Sequence, residues 1–531
     1  MTTAALSLAA CSGGSGSTSA GGGGGSTTPA HGTDAGDANV KAGGEMTFAL
    51  AEDPDKLDPT FARTLVGREV FANLCEKLYD VDKDLNIVPQ LAADMPQVSS
   101  DQKTVTIKLR TGITFNDGTP FDATAVKTTL DRDITAEGSA RKADLAPVSK
   151  VDVVDPQTVK LTLSKPYSPL AGALADRAGM IMSPTALKKL GNDFGSAPVC
   201  VGPFQFVSRS PGNEIVLKKA DNYYDKDKVK LDKVTFKIIT DPNVRLANLR
   251  SGDIDAAERL APTDAQQVSS NADLSLITAT SIGYQGITVN IGNANGIGKP
   301  VGTVDTALAK NAKLRQAFNL AIDRDTLNKV VFAGQFAPDC SPLPLKSPFR
   351  DDTPCQKADP AKAKQLVQES GVPTPVPATL IIGTDPQAAR IGQVLQGMVK
   401  AAGFDLKLAP TEFTTALDQT DAGKFDTFAI GWSGRVDPDG NIYNFMHTGA
   451  PLNISGISDK TIDDALDQAR ATSDVAQRKA LYAKALQQQA QLDGLIYLYH
   501  EKLLLGTSKK VAGIAYYDDG LPRLKTAGFA A

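Results

Sequence analysis

The chain has 531 residues, 41% hydrophobic and 22% charged, with a formal net charge of −4 and a pI near 5.6. That length exceeds one simple core and implies two or three lobes. The acidic balance excludes an electrostatic footprint for nucleic acid, and no apolar run reaches the roughly 18 residues of a membrane-spanning helix.

Met1 to Ala10 leads to Cys11, and from there to residue 43 the chain is mostly Gly, Ser, Thr and Ala. Such a tract cannot bury enough apolar surface to offset the entropy of ordering, and it behaves as a tether. Leu8-Ala9-Ala10-Cys11 resembles the bacterial lipobox: an aliphatic residue, two small ones, then a cysteine that receives lipid. The resemblance implies a truncated lipoprotein signal over 1–11, a flexible tether over 12–43, and anchoring to the outer face of the membrane through Cys11. Met1–Ala10 has no Lys or Arg and is short for a secretory signal. An alanine-rich start with a chance cysteine is the alternative.

Order begins near Gly44 with the strand EMTFAL, then the Pro/Asp-rich loop AEDPDKLDPTFA. GREVFANLCEKLYDV sets Val70, Leu74, Lys77 and Leu78 at helical spacing. TVTIKLRTGITF alternates from Val105 to Leu109 and predicts a half-buried strand. The turn Asn116–Phe121 precedes a helix, DATAVKTTLDR, with Asp122 as cap. VDVVDPQTVKLTLS predicts a hairpin turning at Asp155-Pro156, and GPFQFVSRSPGNEIVLKKA another strand pair. VKLDKVTFKII alternates again, and DPNVRLANLRSGDIDAA is a capped helix running into a glycine turn.

The second half opens with the strand GYQGITVN and a glycine-rich loop. NAKLRQAFNLAIDRDTLNKVVF predicts one helix with Leu314, Ala317, Phe318 and Ala321 on one face. A helix follows from Pro360, then the strand ATLIIGTD, a helix ending at Gly403, and the short strands FDLKLAP and FDTFAIGW. Two more helices, DKTIDDALDQARA and VAQRKALYAKALQQQAQL, lead to the apolar strand LIYLYH. Strands and helices alternate throughout, which argues α/β lobes.

Four cysteines, Cys75, Cys200, Cys340 and Cys355, follow Cys11. An even set in an exported protein suggests two disulfides. Cys340 and Cys355 enclose the proline-rich CSPLPLKSPFRDDTPC, which has little other means of holding itself rigid. That bridge is expected, Cys75 with Cys200 follows by elimination, and four buried free thiols are the alternative.

Several blocks in order resemble the extracytoplasmic solute-binding proteins of ABC importers, family 5, the peptide/nickel-binding group. They are TVTIKLRTGITFNDGTPFDATAVKTTLDR, CVGPFQFVSRSPGNEIVLKKADNYYDK, DPNVRLANLRSGDIDAA, LRQAFNLAIDRDTLNKVVFAG and ALYAKALQQQAQLDGLIYLYH. The resemblance implies an α/β, two-lobed periplasmic-binding-protein fold of class II type, cluster C, closing on a hinge over its ligand. Lobe I is expected over 44–78, 195–278 and 485–531, its subdomain over 79–194, and lobe II over 279–484. The implied partners are a small solute, peptide-like by preference, and the importer's permease subunits; the protein itself is expected to be a monomer.

GWSGRVDPDG, Gly431 to Gly440, holds the chain's only tryptophan. Its mix of Gly, Pro, Arg and Asp reads as a loop. In the family this loop lines the cleft. Trp432 then offers an apolar wall, and the backbone of Trp432, Ser433 and Gly434 can pair with an extended ligand. Di- and oligopeptide binders carry an aspartate three residues after this tryptophan, where this chain has Arg435. A guanidinium prefers carboxylate or phosphate, so free-amino peptides are placed in doubt. Arg435 either meets the ligand or pairs with Asp437 or Asp439, leaving one carboxylate for a ligand cation; Asp439 is the more structural of the two. Phe61, Arg63 and Thr64 sit at the family's other ligand edge, and Tyr284 follows the first crossover; a surface loop and a core tyrosine are the plainer readings. A tryptophan in the core is likewise the plainer reading of Trp432.

His31, His447 and His500 lie far apart in sequence, and no metal site or cofactor motif is read. His447, close after the tryptophan loop, leaves a metal-chelate ligand open. The chain has no GxSxG, HExxH or CxxC, which argues against an enzyme. A non-peptide solute, whether an opine-like conjugate, an oligosaccharide or a nickel chelate, is the alternative ligand. A sensor or scaffold lipoprotein is the alternative role.

Overall fold

The structure, a computed structural model, describes residues 40–351 and 353–530. Cys11, His31 and the expected tether up to residue 39 lie outside the described residues.

Two large sheets organise the chain. The first has seven strands, in the order Leu274–Thr280, Lys502–Ser508, Ala256–Ala257, Glu45–Leu50, Lys233–Ile238, Glu214–Lys219, Phe204–Ser210. Its central strand EMTFAL shows why it forms. Met46, Phe48 and Leu50 enter one core while Ala49 enters another with Leu246, Leu249 and Leu504. The period of two thus fills both faces. Burial of a side chain such as Phe48 contributes roughly 1.5–3 kcal/mol.

The second sheet has six strands, in the order Ala337–Pro338, Leu495–His500, Tyr284–Val289, Thr427–Trp432, Val376–Ile382, Phe404–Pro410. Ile287, Val289, Leu380, Ile496 and Leu498 pack there against Leu314, Phe318 and Leu395 from the covering helices. A four-stranded sheet, Gln97–Val98, Thr104–Lys108, Thr158–Leu163 and Val148–Asp155, forms with the helix Ala123–Thr135 beside the first.

The chain crosses between the large sheets twice. Ser281–Gly283 joins Leu274–Thr280 to Tyr284–Val289, and Glu501 joins Leu495–His500 to Lys502–Ser508. The crossovers lie side by side, with Ser281 N–H donating to Glu501 C=O at 2.9 Å. The division expected at 485 therefore needs correction. It falls inside the helix Val475–Leu492, and Leu495–His500 pairs with Tyr284–Val289 of the second sheet. An apolar strand such as LIYLYH suits either sheet, and only pairing decides.

Three other expectations change. The helix at GREVFANLCEKLYDV is Leu65–Leu74 and excludes Lys77 and Leu78. Past Cys75 the backbone is taken by other segments: Glu76 N–H donates to Val201 C=O at 2.7 Å and Leu78 N–H to Gly179 C=O at 2.9 Å. The helix expected over Asn311–Phe332 is two, Ala312–Leu320 and Arg324–Phe332. Asp323 caps the second by accepting from Thr326 N–H at 3.0 Å. In GWSGRVDPDG, Gly431 and Trp432 end a strand and Asp439 opens the helix Asp439–Met446, so only Ser433–Pro438 is loop.

Sulfur bonds join Cys75 to Cys200 and Cys340 to Cys355, with Cα separations of 4.9 and 5.5 Å. The second closes its loop beside Asp339. That carboxylate pairs with Arg350 at 2.5 Å and with the buried His500 Nε2 at 2.9 Å. His500 Nδ1 reaches Gly283 C=O in the first crossover, so the disulfide loop braces the hinge.

Candidate functional site

A cavity of about 1470 Å³ lies between the lobes. Asp55, Arg63, Thr64, Arg141 and Arg177 line it from the first lobe and its subdomain, and Tyr284, Trp432, Ser433 and Phe445 from the second.

Its second-lobe wall follows from strand geometry. Thr427–Trp432 pairs with Tyr284–Val289 along its whole length, but with Val376–Ile382 only at Thr427 and Phe428. From Ala429 to Ser433 that edge has no strand partner among the described residues, and these residues line the cavity. A bare strand edge beside a cavity offers backbone N–H and C=O groups to an extended ligand.

Trp432 forms part of the wall and packs at its edge. Its Nε1–H donates to Asn441 Oδ1 at 3.1 Å, and its ring meets Phe445 edge to face at 5.0 Å. Tyr284 stands opposite it in register and lies edge-on to Tyr497 at 4.8 Å. Burial pushes the Tyr284 hydroxyl up in pKa, so it stays protonated. Gly434 does not line the cavity; it permits a close approach. Its φ is +83°, and a Cβ there would stand 2.5 Å from the Ile282 carbonyl carbon, so the loop packs directly on the crossover.

Arg435 makes a partner that sequence reasoning does not name. Its Nε meets Asp176 Oδ2 at 2.5 Å, across the cleft, and its guanidinium lies 4.2 Å from the Trp432 ring centre. Arg68 Nε holds the other oxygen of Asp176 at 3.0 Å, and Arg68 Nη1 donates to Ser433 Oγ at 3.3 Å. Burial pulls Arg435 down to about 9, with Asp176 opposing and Arg68 adding to the fall. Burial also raises Asp176, but Arg435, Arg68, Arg177 and Arg141 outweigh it and hold the carboxyl well below the usual range.

The expected pairing of Arg435 with Asp437 or Asp439 does not form. Asp437 is held by Arg478 at 2.6 Å, and Asp439 by Arg470 at 2.8 Å with both side chains buried. Neither lines the cavity, so Asp437 is not set to receive a ligand ammonium. These carboxylates anchor the start of the helix Asp439–Met446.

On the first lobe, Arg63 reaches across to Asp421 at 2.9 Å, a second ion pair between lobes. Thr64 caps Leu65–Leu74, its Oγ1 accepting from Gly67 N–H at 3.3 Å and donating to Asp55 at 2.8 Å. Phe61 does not line the cavity and is covered by Arg132, at 4.9 Å. His447 stacks on Tyr443 at 4.4 Å outside the cavity, and no described histidine lines it.

Residues 86–453 match the family described as bacterial extracellular solute-binding proteins, family 5 Middle. The chain belongs to that family. It is 30% identical over 495 residues to the glutathione-binding protein GsiB of Pectobacterium atrosepticum, covering 91% of this chain and 93% of that one. To GsiB of Salmonella paratyphi A it is 31% identical over 483 residues, 88% and 91% of the two chains. Among solved structures it resembles AgaA from A. tumefaciens R10 in complex with agropinic acid, with TM-score 0.80, 27% identity, and 91% and 96% covered. DppA from Helicobacter pylori with peptide STSA shares the fold, with TM-score 0.83, 22% identity, and 92% and 99% covered. This family-5 protein is an extracellular solute-binding protein, and it shares the two-lobed fold of these solved binding proteins. No described helix is long and apolar enough to cross a membrane.

The cleft residues that the family-5 resemblance does not point to are Arg68, Arg141, Asp176 and Arg177. Asp176-Arg177 carries a visible signal, a charged pair inside the apolar run ALADRAGMIM. Arg68 and Arg141 carry none.

Proposed function

We propose that this protein is a monomeric, membrane-anchored receptor, tethered through lipidated Cys11, that encloses a peptide-like solute and presents it to a permease. Glutathione, named for the GsiB relatives, is the type of solute this reading favours. The observation that carries it is the bare edge Ala429–Ser433 facing a cavity of about 1470 Å³ between the lobes. An extended backbone fits that edge as an added strand, and the volume holds several residues. The ion pairs Arg63–Asp421 and Arg435–Asp176 span the lobes and favour the closed form that a permease meets. The protein binds its solute and carries out no reaction on it.

A second reading, a non-peptide conjugate such as the agropinic acid of the AgaA complex, is favoured by the fate of the acids beside Trp432. Asp437 and Asp439 are both neutralised by arginines, so a free amino terminus finds no open carboxylate there.

Native mass spectrometry of the purified protein, before and after mild unfolding, tests the proposal. A released mass built of amino-acid residues supports the first reading, and a non-peptide mass the second. A protein that releases nothing, and whose Trp432 fluorescence answers no peptide or conjugate, would favour a sensor or scaffold.

A further inference from the structure

One end of the cavity carries an excess of positive charge. Arg68 and Arg435 share Asp176, and Arg141 Nη1 meets Asp144 at 2.8 Å. Arg177 has no ion pair among the described residues; its Nη1 donates to the carbonyls of Ala62 and Thr64 at 2.8 and 3.4 Å. Four guanidiniums thus face two carboxylates. Arg141 and Arg177 are 4% and 1% exposed, and the Nε of each has no hydrogen-bond partner among the described residues.

Nearby acids do not balance the group. Asp437 is neutralised by Arg478 and Asp421 by Arg63; Asp55, which accepts from the neutral Arg63 N–H and Thr64 hydroxyl, keeps its charge and offsets one of the two surplus guanidiniums. Lys142, which also lines the cavity, adds to the excess. A buried guanidinium without a counter-charge is costly. Burial lowers the pKa of Arg435, and Arg68 and Arg141 add to the fall against Asp176 and Asp144.

The geometry points to an anion subsite, built from Arg141, Arg177 and Arg435 beside Trp432, that takes the carboxylate pole of the solute. All three line the cavity, and planar guanidiniums match a carboxylate bidentately. The solute therefore lies with its acidic end against the tryptophan wall, where a free ammonium is repelled. This assignment rests on the reading that a solute is enclosed between the lobes.

The test uses the whole protein, freed of co-purified solute by mild unfolding and refolding. Tm is measured in sodium succinate, inorganic phosphate and sodium chloride at equal ionic strength. Succinate is expected to raise Tm above chloride by about 2 °C or more, and above phosphate. Arg435→Gln is expected to abolish the difference, and Lys460→Gln, at an exposed ion pair away from the cavity, to retain it. Equal values in succinate and chloride would overturn the subsite, as would the same difference surviving in Arg435→Gln. A larger shift in phosphate would overturn the carboxylate assignment. Should Arg435→Gln not fold by circular dichroism, Arg435→Lys, which keeps charge but loses the planar fork, is expected to shrink the difference. Capture is read separately by native mass spectrometry, so a released neutral solute with a flat succinate response removes the subsite and leaves capture standing.

Discussion

Arg435 Nε lies 2.5 Å from Asp176 Oδ2, and the two residues reach each other from opposite sides of the cleft. Arg68 completes the bridge from the first lobe. Removing one partner of such a buried pair leaves its charge exposed to low dielectric, at about 3–5 kcal/mol. Asp176→Asn is therefore expected to lower Tm and to enlarge the ligand-free radius of gyration in small-angle X-ray scattering. An unchanged radius would mean the bridge does not hold the lobes together.

Asp437 separates structural from ligand-binding carboxylates. Its partner Arg478 has a side chain 6% exposed, so Asp437→Asn is expected to destabilise the protein by about 3 kcal/mol in urea unfolding. Solute affinity of the folded protein is expected to stay within about twofold of wild type. A larger loss, measured by calorimetry, would return Asp437 to the ligand site.

Trp432 is the chain's only tryptophan and stands on the cavity wall, so its fluorescence reports the site alone. Solute binding is expected to shift its emission. Trp432→Phe removes the bond to Asn441 and part of the wall, and is expected to weaken binding by about 5–10-fold. Binding that leaves emission unchanged would place the solute elsewhere.

The Cys340–Cys355 bridge closes a short loop, with a sequence separation of 15. Closing such a loop contributes about 3 kcal/mol on the chain-entropy view. The double variant Cys340→Ser, Cys355→Ser is expected to lose about that much, read by denaturant unfolding. Hydrogen exchange should also rise at Gly283 and Glu501, because Asp339, Arg350 and His500 connect the loop to the crossovers.

Asp133 makes stability depend on pH. Burial pushes its carboxyl up to about 7, against the Thr60 hydroxyl and nearby Arg141 and Arg132, and its Oδ2 has no hydrogen-bond partner among the described residues. A carboxyl raised in the folded state contributes stability below its unfolded pKa of about 3.9 and loses it as pH rises through the folded value. Stability attributable to Asp133 therefore falls between about pH 4 and 7, by roughly 2–4 kcal/mol. Asp133→Asn keeps an acceptor for Thr60 and is expected to flatten that stretch of the Tm–pH curve. A curve of unchanged slope would remove Asp133 as the cause.

Local pattern made most elements legible. Alternation in EMTFAL and TVTIKL and the caps Asp122 and Asp241 act within a few residues, so spacing reveals them. The misses share one cause. Leu78 continues an apolar spacing past Cys75, but Val201 and Gly179 claim that backbone from far along the chain. Likewise LIYLYH carries no sign of which sheet it joins.

For the site, residue types alone set the chemistry on offer: one flat ring, one guanidinium, two carboxylates and the glycines that let them approach. They also carried the family, since block order needs no coordinates. Pairing was decided by tertiary structure alone. Arg435 is joined to Asp176 across 259 residues of chain, not to the acids two and four positions away, because those acids face Arg478 and Arg470 behind the cavity wall. Charge acts through space over a few ångströms, and only the fold sets which side chains come that close.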